Sequence, residues 1–320
     1  MNRVLKVLSM SLLAAVIVGA AWGIINVHSV DDWLRLRNYT PPATIASLAD
    51  QDTFTSYTRH MFYVNHPQLI NTVDTFRQYC PENKETIVLG CYHPGQNGIY
   101  IYSVNDPALY GVEQVTAAHE VLHAVYERLS TKQRNQLNAE LEDYYKNGLT
   151  DPRVKAEVVL YQQTEPTDVM DEMSCTFGTE IANLPPALEE YYQQYFSNRQ
   201  AIVAFEQNYQ AEFTSRQSQI NADDARLAVL KAQIGAEEDS LKSQLSDLQA
   251  GRSSVENSND QAQINSYNSQ VAAYNSGVSR LQADISTYNA LVAQRNAIAS
   301  DLASLQNSLD TRLTTQAKQQ

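Results

Sequence analysis

No proline follows Pro186, no histidine follows His123, no tryptophan follows Trp33 and no cysteine follows Cys175 in this 320-residue chain. The last third of the sequence therefore lacks the residue that breaks helices by removing a backbone donor. It is rich instead in Gln, Asn, Ser and Ala, so two kinds of structure are joined. Basic residues are also scarce: 23 Lys and Arg stand against 36 Asp and Glu, for a formal net charge of −13. That charge divides into +2 for residues 1–27, −11 for 28–200 and −4 for 201–320, with no Lys/Arg cluster anywhere. Such a surface repels phosphate backbones, which excludes nucleic acid as an expected partner.

What is present begins with an apolar run without charge at residues 7–27, preceded by Arg3 and Lys6. A helix of that length spans about 30 Å, the thickness of a bilayer core. The flanking positive charges stay cytoplasmic, so the run predicts a single-pass membrane anchor with everything after it exported. A cleaved signal peptide is the competing reading and puts the rest on the same side. Residues 28–42, ending in Pro41-Pro42, read as a juxtamembrane spacer. Cys80 and Cys91 flank a short apolar run in a region expected to be oxidising, and form a disulfide candidate.

Residues 43–196 read as a mostly helical α+β domain. Short helices are expected over 43–79. The β-branched and aromatic segments 86–90 and 99–104, separated by the turn residues 94–98, suggest a β-hairpin. Apolar residues at spacings of three and four predict helices over 111–129 and about 131–146, with further helices near 152–163 and 167–183. From residue 197 the pattern changes. Ile220, Leu227, Leu230, Ile234, Leu241, Leu245 and Leu248 mark one apolar seam, and Ile264 to Val292 a second. A polar stretch, 251–260, separates them. Two arms joined by a polar tip suggest an antiparallel coiled-coil hairpin at 197–320, available for a protein partner or self-association.

The chemistry concentrates in Thr116-Ala-Ala-His-Glu-Val-Leu-His123, an HExxH pattern inside a predicted helix. Histidines at i and i+4 share one face and can bind one ion, while Glu120 is long enough to reach a water on that ion. A catalytic zinc takes three protein ligands and keeps a position open for water. With no later histidine, the third ligand, if it comes from further along the chain, is a carboxylate or Cys175. The helix at 167–183 places Glu172, Thr176 and Glu180 on one face, so Glu172 and Glu180 are both candidates.

These two helices resemble the gluzincin metallopeptidases, in which the HExxH helix supplies two histidines and a later helix a glutamate. The resemblance implies His119, His123 and Glu172 as Zn²⁺ ligands and Glu120 as the general base of peptide-bond hydrolysis. It does not extend to 197–320. The longer metzincin pattern is absent, because no third histidine follows His123. Tyr191, Tyr192 and Tyr195 are candidates for an oxyanion donor, although packing against neighbouring helices explains them more simply. The expected function is a membrane-anchored, extracytoplasmic zinc metallopeptidase acting on a peptide or protein. The competing reading is an envelope adaptor that works through its coiled coil, with a structural or inactive zinc site.

Overall fold

The computed structural model describes residues 27–81, 87–95 and 97–312. The apolar run ahead of Val27 lies outside the described residues, among which no helix is long and apolar enough to cross a membrane. The chain divides into two compact units, one holding the residues up to Tyr209 together with those from Leu309 onward, the other Gln210–Ser308. The change of composition near residue 197 therefore precedes the structural boundary. Arg199, Ile202, Val203 and Glu206 are still buried in the first unit.

In that first unit, helices α1 (Val27–Leu36), α2 (Ala43–Gln51) and α3 (Ser56–Val64) precede strand β1 (Gln68–Ile70) and helix α4 (Val73–Tyr79). The stretch expected to be a spacer is thus helical over its first part. Asp32 of α1 explains why: it is buried and accepts hydrogen bonds from Arg128 at 2.7 Å and from His60 at 2.9 Å. Those partners are distant in sequence, so nothing local announces the docking. Strands β2 (Gly90–His93) and β3 (Gly98–Tyr102) form the expected hairpin, with Cys91 opposite Tyr100. The first strand starts later than the apolar run 86–90 suggests. In addition, β1 pairs in parallel with β3 inside a stretch read as helix, which gives a three-stranded sheet ordered β1-β3-β2. The Cys80–Cys91 disulfide joins the end of α4 to β2.

Helix α5 (Val112–Arg128) carries the HExxH residues through the centre of this unit, packed against β2, β3 and α3. Val115, Ala117, Ala118, Val121, Leu122, Ala124 and Val125 are all buried, because the helix is covered on most sides rather than along one stripe. Helices α6 (Thr131–Asn147), α7 (Pro152–Thr164), α8 (Val169–Glu180) and α9 (Pro186–Gln193) follow. A capping box on Ser130 and Gln133 starts α6, and the Asp151 side chain caps α7. Gly178 sets how closely α8 approaches its neighbours. A Cβ there would stand 2.8 Å from Leu122 Cδ1 and 2.6 Å from Tyr192 Cε1.

Helices α10 (Arg199–Glu256) and α11 (Gln261–Leu309) continue the chain. Within the second unit they run antiparallel: Asp223 accepts from Gln294 at 3.0 Å, Asp284 from Gln233 at 2.6 Å and Ser254 from Gln263 at 3.1 Å. Leu241, Leu248 and Leu291 are buried, whereas Leu245 and Ile285 of the expected seams are exposed. Straight helices drift off a strict seven-residue repeat, so Asp284 rather than Ile285 turns toward the partner helix. The chain then re-enters the first unit, where Thr311 Oγ1 donates to Val88 O at 2.7 Å and Arg77 Nε donates to Thr311 O at 2.7 Å.

Candidate metal centre

Helix α8 lies along the His119–His123 face of α5. His119 Nε2 is 3.4 Å from Glu172 Oε2, and His123 Nε2 is 3.6 Å from Glu172 Oε1. One carboxylate thus faces both imidazoles through the same kind of nitrogen. Donors in a tetrahedral zinc site at ~2.0–2.1 Å from the ion lie about 3.3 Å from each other, so these separations are near those of ligands around a shared ion. Behind His123, Asp171 Oδ1 is 3.0 Å from Nδ1. That contact fixes Nδ1 as the protonated nitrogen and leaves the Nε2 lone pair free for a metal. Two histidines, a glutamate and a supporting aspartate make up a donor set that fits zinc.

Glu120 follows His119 on α5 and is almost completely buried, at 5% exposure. Its carboxylate sits against β2 at a position that only glycine leaves open: a Cβ on Gly90 would be 2.6 Å from Glu120 Oε1. Burial pushes the Glu120 carboxyl above its usual range, and the two histidines pull the other way. For Glu172, burial alone would raise the carboxyl, but His123 and His119 overrule it and hold it low. Burial would depress both imidazoles. Glu172 holds His119 above its usual value, and Cys175, Glu172 and Asp171 together hold His123 well above it. The negative field that favours an imidazolium is the same field that favours a divalent cation.

The alternative ligand Glu180 is placed elsewhere. It pairs with Arg153 at 2.5 Å, and the same guanidinium also meets Glu206 at 2.8 Å and Glu157 at 3.7 Å. The helix face shared with Glu172 continues for two turns, but its far end is neutralised by a residue of α7. Cys175, by contrast, is brought to the centre. Its Sγ, one nitrogen of His119 and one of His123 all lie within 4.8 Å of one another. The three tyrosines past α8 pack together, with Tyr192 donating to Ser174 O at 2.7 Å and the Tyr191 and Tyr195 ring centroids 5.1 Å apart.

Three further residues complete the surroundings without any sequence signal. Tyr161 of α7 stands beside Glu172 and gives its one hydroxyl proton to Glu157 at 2.9 Å. The Tyr92 ring lies parallel to His123 with centroids 6.4 Å apart. Glu127 accepts from the Tyr92 hydroxyl and from the Gly95 amide. An open depression between α1 and α3, lined by Asp32, Trp33, Arg37 and His60 among others, shares no residue with the metal centre.

Compared with protein-family models, curated proteins and solved structures, the chain matches none.

Proposed function

We propose that this chain is a zinc-dependent peptidase anchored in the cell membrane by residues 7–27, with its N-terminus cytoplasmic and the metal centre outside. The observation that carries this reading is the meeting of both Nε2 atoms with the two oxygens of Glu172, at 3.4 and 3.6 Å, beside the buried Glu120. A zinc ion, when bound, would acidify its water and polarise the carbonyl of a scissile bond. His119, His123 and Glu172 would hold it, and Asp171 would orient His123. Glu120 takes a proton from the attacking water and delivers it to the leaving amine, and burial raises its proton affinity toward that task. The Cys80–Cys91 disulfide supports an oxidising, exported setting for this unit.

The remaining expectations fit the same scheme. Helices α10 and α11, as an antiparallel coiled-coil hairpin, would supply a docking arm for a protein partner or a second copy. The test is metal analysis and hydrolysis of a labelled casein by the full chain in detergent, with Glu120→Gln alongside. About one zinc per chain is expected in both proteins, with turnover lower by ~10²–10⁴-fold in the variant. Equal turnover in the two would refute Glu120 as the base, and failure to take up zinc would refute the peptidase reading.

A further inference from the structure

Helix α1 begins at Val27, the residue on which the apolar run 7–27 ends, so its side chains follow the proposed bilayer span on a rigid element. Trp33 stands six residues on, a rise of about 9 Å along a helix. The headgroup layer on each side of a bilayer core is about 5–7 Å deep. An upright helix would carry Trp33 to the outer edge of that layer, and any tilt brings it deeper. Nor is the helix free to turn about its axis. Asp32 is buried and accepts from Arg128 at 2.7 Å and from His60 at 2.9 Å, while Arg35 Nε donates to Val64 O at 2.6 Å. These bonds commit one side of α1 to α3 and the end of α5. Trp33 and Leu34 are left facing outward, 63% and 47% exposed. Arg37 is exposed one turn after Trp33, with its guanidinium 5.7 Å from the indole centroid. Tyr57, 48% exposed, lies one turn before His60, which lines the same open depression as Trp33 and Arg37.

We infer that the outer edge of α1, with Trp33, Leu34 and Arg37, sits in the headgroup layer of the membrane that residues 7–27 enter. This inference rests on the anchor in the proposed function and adds a second contact with the same lipid surface. Indole and phenol rings belong at that level, because their apolar bodies meet the hydrocarbon edge while N–H and O–H stay hydrated. Leu34 gains by leaving water. The planar fork of Arg37 suits a lipid phosphate. A single-span tether alone would let the unit swing, whereas a pinned helix lying against lipid fixes its orientation. Arg128, which holds Asp32, is the last residue of α5, and His123 stands five residues before it, about 8 Å along the helix. The lipid contact thereby sets the height of the metal centre above the membrane.

The chain has two tryptophans, Trp22 and Trp33, so Trp22→Phe leaves Trp33 as its one indole. The full chain with that substitution is reconstituted in phosphatidylcholine vesicles, and flotation on a density gradient shows whether it is membrane-bound. Trp33 emission is then compared in plain vesicles and in vesicles whose lipids carry bromine either close to the headgroup or close to the chain ends. A loss of emission with the shallow bromines, and a smaller loss with the deep ones, is expected. Floating protein whose emission is the same in all three vesicles would overturn the inference and leave the anchor standing. If acrylamide also fails to quench it, a second copy or another protein segment covers Trp33 instead. Protein that does not float would overturn the anchor and the inference together.

Discussion

Asp171 Oδ1 lies 3.0 Å from His123 Nδ1, on the opposite side of the imidazole from the nitrogen that faces Glu172. Through that contact a residue outside the donor set decides which tautomer His123 adopts. Asp171→Asn keeps the shape but loses the charge, and zinc affinity should fall by about 10–100-fold. Chelator competition on the purified protein measures it directly. Affinity unchanged within twofold would show that Asp171 has no part in the site.

Gly90 is predicted to be intolerant of even one methyl group. An alanine Cβ would fall 2.6 Å from both Glu120 Oε1 and Thr116 Cγ2, inside any permissible contact. Overpacking of this kind costs about 1–3 kcal/mol. On the proposed mechanism, displacing Glu120 by an ångström should lower turnover by roughly 10²-fold. Denaturant unfolding and casein hydrolysis of Gly90→Ala check both effects, and zinc content should not change. A variant as active as the wild type would mean that Glu120 does not work from this position.

The pair Cys80 and Cys91, separated by 11 residues, closes a short loop between α4 and β2. In the chain-entropy picture a loop of this size contributes about 2–3 kcal/mol by restricting the unfolded chain. Replacing both cysteines by serine should lower stability by that amount, read as a shift of the urea midpoint at constant slope. No shift would indicate that the sheet edge holds its place without the crosslink.

Stability should also respond to pH through Glu206. Burial, with Glu180 nearby, pushes its carboxyl up to about 7 from an ordinary 4.5, even though Arg153 pulls the other way. The folded state then binds a proton that the unfolded state has lost. The group's contribution is present in full below about pH 4.5 and disappears as the pH rises through about 7. Melting temperatures of the metal-free protein at pH 5 and pH 8 should differ less in Glu206→Gln than in the wild type. An identical difference in the two proteins would place the titration elsewhere.

How much of this was legible in the sequence varies with the range of the interaction. The four-residue spacing of His119 and His123 defines a shared helical face, and the structure keeps it. Glu172 shares a helical face with Thr176 and Glu180, and the structure turns it toward both histidines. Glu180 ranks second in the sequence, but what draws it away, Arg153 on another helix and 27 residues distant in sequence, has no local signature. Tyr161 and Asp171 act through partners on other turns or other helices and leave no periodic trace. Strand β1 is three residues long and forms only because β3 offers an edge to pair with. The arms of the second unit read well as helices, but their seams slip by a residue where Asp284 replaces Ile285, because a two-helix pair tolerates polar contacts at a half-exposed seam.

Thr311 binds both backbone polar groups of Val88, accepting from its amide at 3.3 Å and donating to its carbonyl at 2.7 Å. Val88 lies two residues ahead of Gly90, the glycine against which Glu120 rests. The segment after Ser308 thus serves as a bolt on the strand against which Glu120 rests, and the chain leaves and re-enters the first unit around Gln210–Ser308. A protease nick within that excursion would leave the bolt in place, whereas trimming a few residues past Ser308 would free the strand while leaving both long helices nearly whole.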